Sequence, residues 1–206
     1  MAKGNFQAVI VVDFQADFTE LHEGALAVPG TGRDYVDEVI ARTSDFKKRG
    51  LPIIATRDYH PADHISFYTS HPGAKPLDVI QTHGHEQVLW PPHCVQGTPG
   101  AEILLPPDLI TAVVSTADQP DAESYSGFRD DLGRDTGLKH ILEELGVTDL
   151  IIYGLAIDYC VQATVMHARE EGYEVTLVKS LSKGITPEGT DRAIEEMKAA
   201  GVKIEE

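Results

Sequence analysis

The chain has 206 residues, with 33 acidic and 17 basic side chains and a formal net charge of −16. This acidic balance argues against a nucleic-acid partner, which needs a positive face, and against binding to an anionic membrane surface. Apolar residues make up 42% and charged residues 24%, which is typical of a globular domain and excludes a disordered chain.

Cysteine content and hydropathy exclude two further classes. Cys94 and Cys160 are too few for a disulfide framework. No stretch approaches the roughly 18 apolar residues of a membrane span, and the first residues lack a basic-then-apolar signal pattern. We therefore expect a cytoplasmic protein.

Six short apolar runs predict β-strands. They cover residues 8–13, 52–56, 112–115, 150–153, 175–178 and 202–204. Continuous apolar runs of this length are typical of strands that are covered on both faces in a parallel sheet.

Segments with helical periodicity lie between these runs. They predict helices around residues 35–46, 138–145, 160–167 and 193–197, the last of which follows Thr190 and Asp191. The alternation predicts one α/β domain over residues 1–206. Its fold is a three-layer α/β/α sandwich around a central, mostly parallel six-stranded sheet.

Residues 59–107 interrupt the alternation with an irregular stretch rich in proline, glycine and histidine. Long loops of this kind are often functional, and ligands of parallel sheets bind beyond the carboxyl ends of the strands. Asp58 and His60 stand two residues apart at a strand end, and His64 and His93 follow. Such ligands suit zinc, iron or manganese, whereas the alternative is a loop of solvated histidines.

Cys160 stands at the expected start of a helix, directly after the fourth strand. A helix N-terminus stabilises a thiolate, and backbone N–H groups of such a turn can form an oxyanion hole. Asp13, at the end of the first strand, is placed to take the thiol proton. The alternatives are a buried inert cysteine and an acid that caps a loop; Cys94 has no comparable context and is interpreted as structural.

Five motifs, in order along the chain, resemble nicotinamidases and pyrazinamidases of the isochorismatase-like cysteine hydrolases. They are VVDFQADF (residues 11–18), ATRDYHPADH (55–64), WPPHCVQGT (90–98), SYSGF (124–128) and GLAIDYCV (154–161). The first and last motifs indicate the superfamily. The second and third favour nicotinamidase within it, and the resemblance also implies the isochorismatase-like fold.

The resemblance implies an amidase that converts nicotinamide to nicotinate and ammonia. Cys160 would attack the carboxamide carbon and form a thioester, while Asp13 would relay the proton. The N–H groups of Ala156 and Cys160 would hold the oxyanion, with a cis peptide bond before Ala156.

The resemblance also implies one divalent metal ion that holds the pyridine nitrogen. Zinc is the preferred ion, with iron or manganese as alternatives. Asp58, His60 and His93 would bind it, with His64 as a fourth ligand. The expected ring contacts are Phe18, Trp90, Tyr125 and Ile157.

One position departs from the family pattern, whose catalytic triad is Asp, Lys and Cys. Thr116 stands where the lysine is expected, and no lysine occurs between Lys75 and Lys139. Loss of an ammonium within about 4–6 Å would raise the pKa of the thiol by about 1–3 units. The candidate replacement cations are Arg57, Arg129, Lys179 and Lys183.

Several interpretations therefore stay open. The protein is an active amidase served by another cation, an impaired or non-catalytic relative that still binds metal and ring, or a chain with a substitution introduced to trap a complex. A cysteine amidase that acts on a non-pyridine amide is a further alternative. In each case the expected partner is a small molecule, and the chain is a candidate homo-oligomer.

Overall fold

The computed structural model describes residues 6–206. Eight strands are present there: β1 (Gln7–Val12), β2 (Ile53–Asp58), β3 (Val79–Thr82), β4 (His85–Val88), β5 (Ala112–Thr116), β6 (Asp149–Gly154), β7 (Glu174–Val178) and β8 (Lys203–Glu205). The α-helices are α1 (Arg33–Lys48), α2 (Leu138–Glu144), α3 (Gln162–Glu170) and α4 (Pro187–Ala199).

Six of the strands form one sheet in the order β5-β2-β1-β6-β7-β8, and every neighbouring pair is parallel. Apolar side chains cover both of its faces. Ala8, Ile10 and Val12 of β1 pack with α2, α3 and α4, whereas Val9 and Val11 pack with α1. Burial on both faces explains the unbroken apolar run of β1, and it confirms the predicted α/β sandwich.

The sequence misplaces two helix starts: α3 begins at Gln162, after a π-helical turn that contains Cys160, and α4 begins earlier than expected. Helix α4 begins at Pro187, before Thr190 and Asp191, and the Thr186 hydroxyl accepts a hydrogen bond from the Gly189 N–H at 3.0 Å. Threonine at the N-cap and proline in the first turn are favoured at helix starts, because they fit the unpaired N–H groups there.

Residues 59–107 are less irregular than expected, because β3 and β4 form an antiparallel hairpin within them. Each strand has four residues and carries several polar side chains, so its sequence lacks the apolar pattern that indicates a strand. No helix among the described residues is long and apolar enough to cross a membrane.

The parallel pairing brings four strand ends to one edge of the sheet. Asp13 follows β1, Asp58 ends β2, and Thr116 at the end of β5 is the register partner of Asp58. Strand β6 ends at Gly154, just before the turn that carries Cys160. The candidate functional residues therefore share the carboxyl edge, where parallel sheets bind ligands.

Candidate active site

Asp13, Asp58 and Cys160 come together at this edge. A carboxylate oxygen of each aspartate and the Cys160 Sγ lie within 4.8 Å of one another, and all three residues are buried. The Thr56 hydroxyl donates a hydrogen bond to the Asp13 carboxylate at 2.6 Å and orients it. Residues from three separate sequence motifs thus form one cluster, which we call the thiol cluster.

Cys160 lies in a single π-helical turn, Ile157–Val161, that continues into α3. The N–H groups of Tyr159 and Val161 both donate to the Ala156 carbonyl, and the N–H groups of Ala156 and Cys160 take part in neither bond. The Leu155–Ala156 peptide bond is cis, as expected. Ala156 stands at the N-cap of this turn and Cys160 within it, and their N–H groups are the candidates for binding an oxyanion.

The surroundings of the thiol cluster favour the neutral forms of its side chains. Burial raises the pKa of Asp13 to about 8, and the negative charge of Asp58 adds to this effect. Burial, followed by the charges of Asp13 and Asp58, raises the pKa of the Cys160 thiol well above its usual value. A nearby cation would reverse this balance and favour the thiolate.

Thr116 places no such cation beside the thiol cluster. Its hydroxyl lies 3.0 Å from the Arg57 carbonyl oxygen and 3.1 Å from an Asp58 carboxylate oxygen. The four candidate replacement cations contact other groups. Arg57 binds Ser115 and stacks on Tyr59, Arg129 pairs with Glu170, Lys179 pairs with Glu206, and Lys183 lies over the Tyr35 ring.

Asp58, His60 and His93 form a second buried cluster, which we call the metal group. One ligand atom of each lies within 4.8 Å of the others. His93 Nε2 is 3.6 Å from Asp58 Oδ2. Among residues 6–206, the buried His60 Nδ1 has no hydrogen-bond partner. An orphaned imidazole nitrogen beside a second imidazole and a carboxylate fits a divalent transition metal, and zinc in particular.

Backbone contacts hold the metal group from both sides. The Gln15 side chain accepts a hydrogen bond from the Asp58 N–H and donates one to the Asp58 carbonyl, both at 2.8 Å. The His60 N–H donates to the Cys94 carbonyl at 3.1 Å, which joins the segments that carry His60 and His93. Cys94 itself is fully buried in the core, where the sequence places a structural cysteine.

His64 lies beside the metal group rather than within it. Its Nδ1 is 2.8 Å from the Ser66 hydroxyl, and its Nε2 is 3.0 Å from the Ala122 carbonyl oxygen. Its ligand atoms cluster with those of His60 and Glu123 instead of with Asp58 and His93. The expected fourth ligand therefore has both ring nitrogens already occupied by hydrogen bonds.

A cavity opens onto both the thiol cluster and the metal group. Trp90 Nε1 donates to the Tyr125 hydroxyl at 3.0 Å, and the Trp90 ring meets the edge of Tyr159 at 5.5 Å between centroids. Within the described part of the chain the lining consists of Phe18, Leu26, Val28, Asp58, Trp90, His93, Glu123, Tyr125, Ala156, Tyr159, Cys160 and Ile185, and it includes no lysine or arginine. Aromatic walls of this kind suit a planar ring.

Ile157, expected as a ring contact, is instead fully buried in the core beneath the cavity. The turn directs Ala156, Tyr159 and Cys160 toward the cavity and Ile157 away from it. Sequence reasoning also misses Glu123, a buried carboxylate that lines the cavity and contacts His60. The one available indication was its position directly before the SYSGF motif.

Comparisons with known proteins agree with this geometry. A sequence profile of the isochorismatase domain matches residues 7–206. The chain is 40% identical to a nicotinamidase of Escherichia coli (strain K12), covering 96% of this chain and 93% of that protein. It is 38% identical to a nicotinamidase of Schizosaccharomyces pombe, covering 96% and 91% respectively.

Solved structures give the same result. A pyrazinamidase of Pyrococcus horikoshii in complex with zinc is 43% identical, with a TM-score of 0.79 over 96% of this chain and 97% of the other. The sequence profile, the identities and the shared architecture together show that this chain belongs to the isochorismatase family, in which it is similar to nicotinamidases and pyrazinamidases.

Proposed function

We propose that the protein is a metal-containing nicotinamidase, which hydrolyses nicotinamide to nicotinate and ammonia through Cys160. The observation that carries this proposal is that the thiol cluster and the metal group meet at one aromatic-walled cavity. Identity of 40% to the Escherichia coli nicotinamidase supports the substrate. The zinc of the Pyrococcus horikoshii pyrazinamidase supports zinc as the ion, with iron and manganese as alternatives.

The thiol cluster supplies the covalent chemistry. Cys160 Sγ forms a bond to the amide carbon while Asp13 takes the thiol proton. The carbon–nitrogen bond then breaks, Asp13 returns the proton to the leaving nitrogen, and ammonia departs from a thioester on Cys160. The raised pKa of Asp13 suits it to hold this proton between the two events.

Water completes the reaction. It adds to the thioester carbon and gives a proton to Asp13, which passes that proton to the departing Cys160 sulfur as nicotinate forms. In both halves the N–H groups of Ala156 and Cys160 would stabilise the oxyanion at the former carbonyl oxygen. The sum is one amide and one water converted to one acid and one ammonia.

Asp58, His60 and His93 would hold the metal. When bound, a divalent ion supplies positive charge next to Asp58 and an open coordination position for the ring nitrogen. Phe18 and Trp90 would enclose the ring and exclude water from it. The carboxamide would then face Cys160 on the other side of the cavity.

The test is ammonia release from nicotinamide by zinc-loaded protein, beside a Cys160→Ala control. Pyrazinamide and benzamide serve as matched substrates, because both resemble nicotinamide in size and benzamide lacks a ring nitrogen. We expect Cys160-dependent turnover of the first two amides and little turnover of benzamide. Equal turnover of benzamide would favour a cysteine amidase that acts on non-pyridine amides.

A second candidate is a relative that binds the ring without hydrolysing it. The uncharged Thr116 and the raised pKa of the Cys160 thiol favour this alternative. Calorimetric binding of nicotinamide without Cys160-dependent ammonia would support it, whereas measurable turnover would exclude it.

A further inference from the structure

We propose that Glu123 positions His60, so that His60 binds the metal through Nδ1 rather than through Nε2. This inference rests on the metal group proposed above and adds a residue outside it. Glu123 is a positioning residue, because it would act on the metal through His60.

The first argument is the contact between the two side chains. Glu123 Oε1 lies 3.3 Å from His60 Nε2, and it also accepts a hydrogen bond from the Ser124 N–H at 2.9 Å. The His60 side chain is 0% exposed and the Glu123 side chain 3%. A carboxylate removed from water to this extent needs partners of opposite polarity, and His60 supplies one of them.

The second argument is the nitrogen that remains. When Nε2–H donates to Glu123, a neutral imidazole keeps its lone pair on Nδ1. That nitrogen is one of the two buried side-chain nitrogens, with His167 Nδ1, that have no hydrogen-bond partner among the described residues. A carboxylate therefore fixes one side of the ring, and the lone pair on the other side is free for a metal. This is the arrangement by which carboxylates orient metal-binding histidines.

His93 provides an internal comparison with the opposite assignment. Its Nδ1 lies 2.8 Å from the Pro91 carbonyl oxygen, which accepts the Nδ1–H. Its Nε2 is then the free nitrogen, and it lies 3.6 Å from Asp58 Oδ2. The two histidines thus present different ring nitrogens to one metal, each fixed by a partner on its far side.

A metal on the other side of His60, among His60, His64 and Glu123, is the competing arrangement. Their ligand atoms also lie within 4.8 Å of one another. A metal there would require His64 to give up its bond to Ser66 or to Ala122. It would also leave His60 Nδ1 orphaned, so the geometry favours the Asp58 side.

The first test is the tautomer of His60 in the zinc-loaded protein. Two-bond ¹⁵N–¹H correlation spectra distinguish a protonated, a metal-bound and a free ring nitrogen, and signals are assigned by their loss in His60→Gln. We expect a proton on Nε2 and zinc on Nδ1 of His60, with the reverse for His93. A proton on His60 Nδ1 would overturn the proposal, and this measurement needs no variant at Glu123.

The second test is the zinc dissociation constant, measured by competition with a chelator in the absence of any amide. Glu123→Gln keeps the side-chain volume and removes the negative charge, and we expect zinc binding to weaken by about 10–100-fold. The control is Glu171→Gln, which changes a carboxylate that pairs with Arg129 and Lys139 outside the cavity. An unchanged constant in folded Glu123→Gln would overturn the proposal.

These outcomes are separable from failure of the proposed function. Weakened zinc binding by Glu123→Gln in a protein that releases no ammonia would support the role of Glu123 and refute the amidase. Ammonia release by a wild-type protein that binds no zinc would refute the role of Glu123 and leave the Cys160 chemistry standing.

Discussion

Replacing Asp13 by asparagine is expected to stabilise the metal-free protein while it abolishes turnover. Burial raises the pKa of the Asp13 carboxyl from 3.8 to about 8, so the folded protein holds this proton more tightly than the unfolded chain does. For an acid with a raised pKa, stability is full below pH 3.8 and is lost as the pH rises toward 8. Asparagine is neutral at every pH and keeps an oxygen for the Thr56 hydroxyl.

The size of the effect follows from the shift. About four pKa units at 1.36 kcal/mol each correspond to roughly 5 kcal/mol above pH 8. The same linkage leaves roughly 4 kcal/mol at pH 7 and less than about 1 kcal/mol at pH 4. The stability gap between Asp13→Asn and the wild type should therefore widen steadily between these two pH values.

The assay is urea unfolding of both proteins in the presence of a chelator at pH 4 and at pH 7. Asp121→Asn is a control of opposite sign, because hydrogen bonds from Arg134 lower the pKa of Asp121. That variant should lose stability at neutral pH, and its deficit should shrink as the pH falls through the carboxylate range. A gap for Asp13→Asn that does not change with pH would refute the reasoning.

Three further substitutions test the supports of the site. Thr116→Lys should place an ammonium beside Asp58 and lower the pKa of the Cys160 thiol by about 1–3 units. The pH profile of iodoacetamide alkylation measures this shift, and a profile equal to that of uncharged Thr116→Val would contradict it. Gln15→Leu removes both hydrogen bonds to the Asp58 backbone. It should lower the free energy of unfolding by about 2–6 kcal/mol, so wild-type stability in denaturant would count against this role. Gly154→Ala would press a Cβ against a main-chain oxygen of β1 at a φ of 137°. We expect a cost of about 1–3 kcal/mol from strain alone, and an unchanged melting temperature would rule it out.

Much of the sheet is predictable because its strands are buried on both faces. The apolar runs of β1 and β6 mark their positions to within one or two residues. Strand β2 extends past its apolar run to Asp58, because its pairing with β5 continues to Thr116. Hydrophobicity records burial, whereas the end of a strand depends on where the partner strand stops.

The site is predictable in the parts where one segment carries the geometry. Asp58 and His60 are close in sequence, and both belong to the metal group. Glu123 is 63 residues from His60, and the contact between them depends on how two loops fold over the sheet. Ile157 lies in the core rather than in the cavity lining for a local reason, because the direction of each side chain in a single turn depends on its exact winding.

Asp58 belongs to both the thiol cluster and the metal group, and this has a genetic consequence. Loss-of-function substitutions at Asp58 would disturb ion binding and proton transfer at once. A substitution at His93 changes the metal group directly, and one at Asp13 changes the thiol cluster directly. Both sets of residues nevertheless contain the same Asp58 carboxylate. Their combined effect should therefore be epistatic rather than additive, although the two residues belong to different groups.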